Sequence, residues 1–159
     1  MTGSLNGKVA VITGGCSGIG LGTVELFIAE GAKVVCADLQ DEKGAMLEAR
    51  FGDLLRYVHC DVTQEADIAK AINTAAEAFG GLDILFNNAG SGGAPNGVED
   101  MTAEAWDSVQ NLLVRSVILG MKHAVPLMRA RGGGAIGMGH DAAACGKQAF
   151  VHRQVNRIM

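Results

Sequence analysis

Short apolar runs alternate along this chain with longer segments whose apolar positions recur every three or four residues. Residues 8–13, KVAVIT, form a β-branched run closed by glycines and predict a buried strand. From Ile19 to Glu30 the spacing predicts a helix that stops at Gly31. Residues 33–38, KVVCAD, predict a second buried strand, after which Asp41 is placed as the cap of a helix reaching Phe51. A third strand is expected over 55–61. Thr63 then opens a helix ending at Phe79, with Glu65 and Asp67 in its first turns, where the helix dipole favours acids. Residues 82–88, LDILFNN, predict a fourth strand.

A long helix follows from about Thr102 to Arg131, with Pro126 expected to kink it. Its apolar residues occupy two faces: Trp106, Val109, Leu113 and Val117 on one, Leu112 and Leu119 on the other. Two apolar faces want two partners, the sheet and another subunit, so helix 102–131 is a candidate oligomer surface. Strand five, AIGMG, is broken by glycine and is expected at an exposed edge. Strands that are continuous apolar runs, alternating with helices, predict an α/β fold with a doubly wound, Rossmann-like parallel sheet of about five strands. In such a sheet the ligand crevice lies at the carboxyl ends of the strands.

Composition narrows the classes without changing this picture. A 159-residue chain with 48% hydrophobic and 19% charged residues fits one globular domain. Its net charge of −4 argues against a nucleic-acid partner. No apolar run is long enough to span a bilayer and no charged leader opens the chain, so no membrane partner is expected and the cytoplasm is the default location. The four cysteines, Cys16, Cys36, Cys60 and Cys145, show no C-x-x-C pair and read as reduced, buried small side chains.

Candidate chemistry begins at TGGCSGIG, Thr13–Gly20, which joins the first strand to the first helix. Backbone amides at a helix N-terminus, unobstructed where glycine has no Cβ, can face a pyrophosphate. Gly14, Gly18 and Gly20 follow G-x-x-x-G-x-G, and a tight strand–helix turn would use the same residues. Asp38 ends strand two, where a carboxylate can accept hydrogen bonds from a ribose diol and repel a 2′-phosphate; NAD is thereby favoured over NADP. A solvated strand end or a helix cap is the plainer role for that aspartate.

These motifs together resemble the short-chain dehydrogenase/reductase family. TGGCSGIG is similar to its phosphate loop, Asp38 to its NAD-selecting acid, CDVT (60–63) to the segment against the adenine, and NNAG (87–90) to the motif closing strand four. WDSVQNLLVRSVILGMKHAVPLM (106–128) is similar to its long helix, so the resemblance covers about residues 5–136. It implies that Gly14, Ser17, Gly18, Ile19 and Gly20 hold the cofactor phosphates. Asp38 and Leu39 would take the adenosine ribose, Asp61 and Val62 the adenine, and Asn88, Ala89 and Gly90 the nicotinamide ribose.

The resemblance further implies an oxidoreductase that moves hydride between a nicotinamide and an alcohol or ketone carbon. Family members do so with a serine, a Tyr-x-x-x-Lys pair and a helix asparagine, the lysine lowering a phenol pKa that otherwise sits near 10. None of the four is found here. The one tyrosine, Tyr57, lies in strand three and is followed four residues on by Asp61. No serine follows Ser116, and by register the helix asparagine falls on Leu113, with Asn111 about 200° away around the helix. The serine position falls near His140 or Asp141 and the tyrosine position near Gln154.

Residues 1–136 are therefore expected to form an NAD-binding domain and 137–159 a divergent tail, incomplete relative to the family through truncation, a shifted reading frame or splicing. In the tail, Val151, Val155 and Ile158 predict a short amphipathic helix. His140, Asp141, Lys147 and His152 could move a proton, but His140, Cys145 and His152 fit no standard metal spacing and no metal is expected. Two functions are carried forward: an NAD(H)-binding member with impaired catalysis, and a non-catalytic regulatory pseudoenzyme that pairs with full-length relatives. A chain that never folds stably is the third expectation.

Overall fold

The computed structural model describes residues 3–92 and 98–139. Within them a five-stranded parallel sheet has the order β3-β2-β1-β4-β5. Its strands are β1 (Val9–Thr13), β2 (Lys33–Asp38), β3 (Leu55–His59), β4 (Ile84–Asn87) and β5 (Ala135–Met138). The connecting helices are α1 (Gly18–Ala29), α2 (Asp41–Phe51), α3 (Glu65–Phe79), α4 (Ala103–Gln110) and α5 (Ser116–Ala130).

The sheet is buried on both faces because its central strands carry unbroken apolar runs, Val9–Ile12 in β1 and Val34–Ala37 in β2. In β1, Val9 and Val11 enter the core formed with α3 and α5. Ala10 and Ile12, pointing the other way, join Val24 of α1 and Leu47 of α2. β2 repeats the division, with Val35 and Ala37 on the first face and Val34 and Cys36 on the second. Each fully buried valine, isoleucine or leucine contributes about 1.5–3 kcal/mol. β1 and β2 pair in strict register from Val9↔Lys33 to Thr13↔Ala37, so Thr13 and Asp38 finish at the same edge of the sheet.

The reversal of strand order falls beside β1, which has β2 on one side and β4 on the other. Successive crossovers leave this central strand in opposite directions, and the ends of β1 and β4 open a crevice there. β5 lies at an edge among the described residues, as its glycine-broken sequence predicts, and Met138 at its end is exposed.

The expected helix over 102–131 is interrupted, but not where proline predicts. α5 runs through Pro126, and the break is a π turn at Asn111–Arg115 in which the Ser116 amide donates to the Asn111 carbonyl. The Ser116 hydroxyl donates to the Leu112 carbonyl and the Arg115 guanidinium to the Thr63 carbonyl, so side chains occupy backbone acceptors around the widened turn.

Two helix starts also differ from expectation. Gln40, not Asp41, holds the cap position of α2, and the Asp41 carboxylate instead accepts from Tyr57 and His59. α3 begins at Glu65 rather than Thr63, whose amide and hydroxyl both donate to Asp61 Oδ1. The tail helix at Val151, Val155 and Ile158 and the tail groups His140, Asp141, Cys145, Lys147 and His152 lie outside the described residues. No helix among the described residues is long and apolar enough to cross a membrane.

Candidate functional site

The carboxyl ends of β1, β2 and β4 gather most of the residues the sequence singled out. Gly14 leaves β1 at φ 65°, and a Cβ there would lie 2.9 Å from Ala89 Cα. Gly20 packs tighter: a Cβ would be 2.0 Å from the Gly14 carbonyl oxygen and 2.6 Å from Asn88 Nδ2. These two glycines let the first turn of α1 close onto the loop after β4. Gly18, at φ 52°, has nothing within 4 Å of the side it turns outward, so open space lies over the helix start.

No side chain caps α1 at Ser17, and no acid stands in its first turn. Its leading amides and the positive end of its dipole are thus left to an anion, and a diphosphate fits the loop's shape and charge. Ile19 is exposed beside them.

Thr13 and Asn88 fasten the two sides of the cradle together. Thr13 Oγ1 accepts from the amides of Asn88 and Ala89, each at 3.0 Å. In return the Asn88 side chain donates to the carbonyls of Thr13 and Gly14, at 3.1 and 3.2 Å. Thr13 escaped the sequence reading, although a polar residue closing an apolar strand at the loop was the available signal. Next to it, Asn87 Nδ2 is buried without a hydrogen-bond partner among the described residues. It lines a cavity of about 10 Å³ shared with Thr13 and Ser116, room for roughly one water molecule.

At the other end of the crevice the Asp38 carboxylate is held firmly. Oδ2 accepts from the Cys16 amide at 2.9 Å, and Oδ1 accepts from the Gln40 amide and side chain at 3.1 and 3.2 Å. A carboxylate offers about four lone pairs, so an acceptor site remains for a hydroxyl beside these three. Lys43 Nζ donates to Gln40 Oε1 at 2.6 Å, which places a cation one residue removed from Asp38. Leu39 is exposed next to this group.

The remaining expected residues are structural in their visible contacts. Asp61 receives Thr63 as described, while its amide donates to Asp67 Oδ2 at 3.0 Å. The Val62 side chain is buried in the core with Ile68 and Ile72. Gly90 lies where a Cβ would be 3.1 Å from Leu113 Cδ2, so Leu113 presents an apolar side chain, 41% exposed, to the loop after β4.

Tyr57 is set up against proton transfer at neutral pH. Its single phenolic proton is shared between the Asp38 carbonyl at 2.8 Å and the Asp41 carboxylate at 2.7 Å. Burial first, and then the adjacent Asp41 charge, push its pKa above the ordinary tyrosine value, opposite to what a tyrosine base requires. The same bond, with His59 second, holds the Asp41 carboxyl below the usual range. No group of three histidine, cysteine or acidic side chains among the described residues could hold a metal.

Comparison with known proteins agrees with this geometry. The short chain dehydrogenase family profile matches residues 8–138. Momilactone A synthase of Oryza sativa subsp. japonica is 49% identical over 134 residues, covering 83% of this chain and 49% of its own length. A 3-alpha-(or 20-beta)-hydroxysteroid dehydrogenase of Mycobacterium tuberculosis (strain ATCC 25618 / H37Rv) is 43% identical over 136 residues, covering 86% of this chain and 52% of its own. A solved structure of 3-ketoacyl-(acyl-carrier-protein) reductase from Brucella melitensis, complexed with NADH, superposes with a TM-score of 0.81 at 34% identity. That likeness covers 93% of this chain and 63% of the reductase. The chain spans about half the length of the curated relatives it matches.

Proposed function

From the premise that this chain belongs to the short-chain dehydrogenase family, we propose that it binds NAD(H) and lacks the means to run the family's alcohol–ketone chemistry on its own residues. The observation that carries the first half is the closure of Gly14 and Gly20 onto Asn88, which leaves the uncapped amides of α1 facing open space. Gly14, Ser17, Gly18, Ile19 and Gly20 would hold the diphosphate, and Asp38, with Leu39 beside it, the adenosine ribose. Asp61 and Val62 would border the adenine, their backbone nearer to it than the buried Val62 side chain. Asn88, Ala89 and Gly90 would reach the nicotinamide ribose.

NAD is favoured over NADP because the fixed Asp38 charge would meet a 2′-phosphate directly, whereas Lys43 is engaged by Gln40. When bound, the nicotinamide supplies or accepts hydride. The impairment rests on the residues the chain lacks: by register Leu113 falls at the helix asparagine position, no serine follows Ser116, and the one tyrosine, Tyr57, lies in β3 and is bonded to Asp41. Titration with NADH, followed by nicotinamide fluorescence, should saturate. Assays with alcohols and ketones in the same preparation should give no turnover. Saturation with turnover would overturn the impairment, and failure to bind would overturn the reading as a whole.

A second reading, a non-catalytic protein that pairs with full-length relatives or with itself, is favoured by one feature. Trp106, Val114 and Ile118 of the 103–130 helical segment are each more than half exposed. Three large apolar side chains on one segment are expensive to leave in water if nothing covers them. Light scattering should then give a mass above one chain, and Ile118→Glu should return it to that of a monomer. A monomer in the unaltered protein would remove this reading.

A further inference from the structure

Two of the four cysteines, without any spacing motif to join them, are brought into contact beneath the phosphate loop. Cys16 Sγ lies 3.6 Å from Cys36 Sγ, although the residues are 20 apart in the chain. Cys16 belongs to the loop itself, and Cys36 lies in β2 opposite Ile12 of β1. Gly15 makes the meeting possible, since a Cβ there would be 2.6 Å from Cys36 Sγ. Cys60 is buried as well, but no sulfur partner is recorded for it among the described residues.

We propose that Cys16 and Cys36 form an oxidation site: a peroxide converts the pair to a disulfide, and the bond disturbs the adenosine end of the cradle. The reaction balances in two steps. The Cys16 thiolate attacks one oxygen of hydrogen peroxide, the O–O bond breaks, Cys16 becomes the sulfenic acid, and the departing hydroxide takes up the proton the thiol had released to form water. The Cys36 sulfur then displaces water from that sulfenic acid, so two thiols and one peroxide give a disulfide and two waters. Cys16 is the first to react because its residue keeps 2% exposure while Cys36 has none, and the adjoining Ser17, Gly18 and Ile19 face solvent.

Bond formation draws the sulfurs from 3.6 Å to about 2.05 Å. The side chain pulled toward β2 belongs to the residue whose amide holds Asp38 Oδ2, so the strain falls on the clamp that fixes this carboxylate. Burial pushes both thiols above the ordinary cysteine range, Cys36 further than Cys16. Because the thiolate is the reactive form, the rate should be slow at neutral pH and climb about tenfold per pH unit toward pH 9.

The site does not depend on the cofactor reading, but its effect on the cradle does. The test treats the folded chain with hydrogen peroxide at pH 7, 8 and 9, then alkylates in denaturant and maps thiols by mass spectrometry. A Cys16–Cys36 linked peptide, two hydrogens lighter than the reduced pair, should accumulate with that pH dependence while Cys60 remains alkylatable. Recovery of Cys16 and Cys36 as free thiols, or linkage of either to another cysteine, would overturn the site. The same oxidised sample should bind NADH at least tenfold more weakly, and dithiothreitol should restore binding. Unchanged affinity would overturn the coupling to the cradle. A reduced chain that never binds NADH would instead point to failure of the cofactor reading, with the peptide map still deciding the disulfide. No variant is needed, so a substitution that fails to fold cannot obscure the outcome.

Discussion

The two ends of the crevice are built on different principles. At the end proposed for the adenosine and phosphates, Asp38 accepts three hydrogen bonds, and glycines let the backbone approach within what any Cβ would occupy. At the end proposed for the nicotinamide, Thr13 and Asn88 still tie β1 to β4, but the neighbouring helix contributes the apolar Leu113, and β5 ends at the exposed Met138. The first end has the shape and charge to hold an anion, whereas the second presents apolar side chains among the described residues. On the reading proposed above, binding and catalysis are separable in one fold: the cradle needs backbone geometry and one carboxylate, while the chemistry needs particular side chains brought to the far wall.

The sharpest way to break this contrast is to fill the tight end. Gly20→Ala should lower stability by about 3 kcal/mol and abolish NADH binding, because the added carbon meets the Gly14 carbonyl and Asn88 with no flexible neighbour to give way. Gly22→Ala, in the same helix with nothing within 4 Å, should raise stability by about 0.5–1 kcal/mol and leave binding intact. Chemical denaturation of both variants checks the pair; equal effects would mean that α1 does not close on the β4 loop.

Removing the hinge between the two ends should cost less. Thr13→Val keeps the shape but leaves the Asn88 and Ala89 amides without their acceptor, a loss of about 2 kcal/mol. Its NADH affinity should fall while the preference for NADH over NADPH stays, because Asp38 is untouched. Loss of that preference would mean that the two ends are not independent.

At the apolar end, Leu113→Asn would place the asparagine expected from the family's register where the side chain is partly exposed. Stability should change by less than about 0.5 kcal/mol, and dehydrogenase assays should still read zero, since one of four groups cannot act alone. Turnover in this variant would show that the serine and tyrosine roles are filled after all.

The smallest expected effect lies away from the crevice, where Glu65 of α3 accepts from Lys122 and His123 of α5. Lys122 first, and then His123, hold the Glu65 carboxyl below its ordinary value. A depressed carboxylate adds stability above its unfolded pKa, and that stability is lost as pH falls through the folded one. Thermal melts should therefore show Lys122→Ala slightly less stable than the parent at pH 7, with the gap closing below about pH 4.5. A gap that persists in acid would assign the difference to packing.

How far the sequence could be read follows the same division. β1, β2 and their glycine turn were legible because each strand holds an unbroken apolar run, Val9–Ile12 and Val34–Ala37, and the loop must sit between strand and helix. The break in the long helix was not, since Pro126 is a visible signal whereas the π turn at Asn111–Arg115, where the Ser116 hydroxyl donates to the Leu112 carbonyl, has no such residue to announce it. Asp41 looked like a cap because its partners Tyr57 and His59 arrive from a strand 16 and 18 residues away. The meeting of Cys16 with Cys36 was hidden for a similar reason: strand pairing creates it, and no spacing announces it. Of the two apolar faces read on the long helix, Leu112 and Leu119 pack into the core and Trp106 and Leu113 of the other lie exposed, while the exposed Val114 and Ile118 belong to neither face as read.

The central claim is that a fixed carboxylate at the end of β2 selects the cofactor in a chain built to bind. It is tested most directly by titrating the purified protein with NADH and NADPH, beside Asp38→Ser, and following nicotinamide fluorescence. The parent should bind NADH saturably and at least tenfold more tightly than NADPH, a difference of about 1.4 kcal/mol or more, and the variant should lose most of that preference. Equal affinity for both cofactors in the parent, or no saturable binding of either, would contradict it.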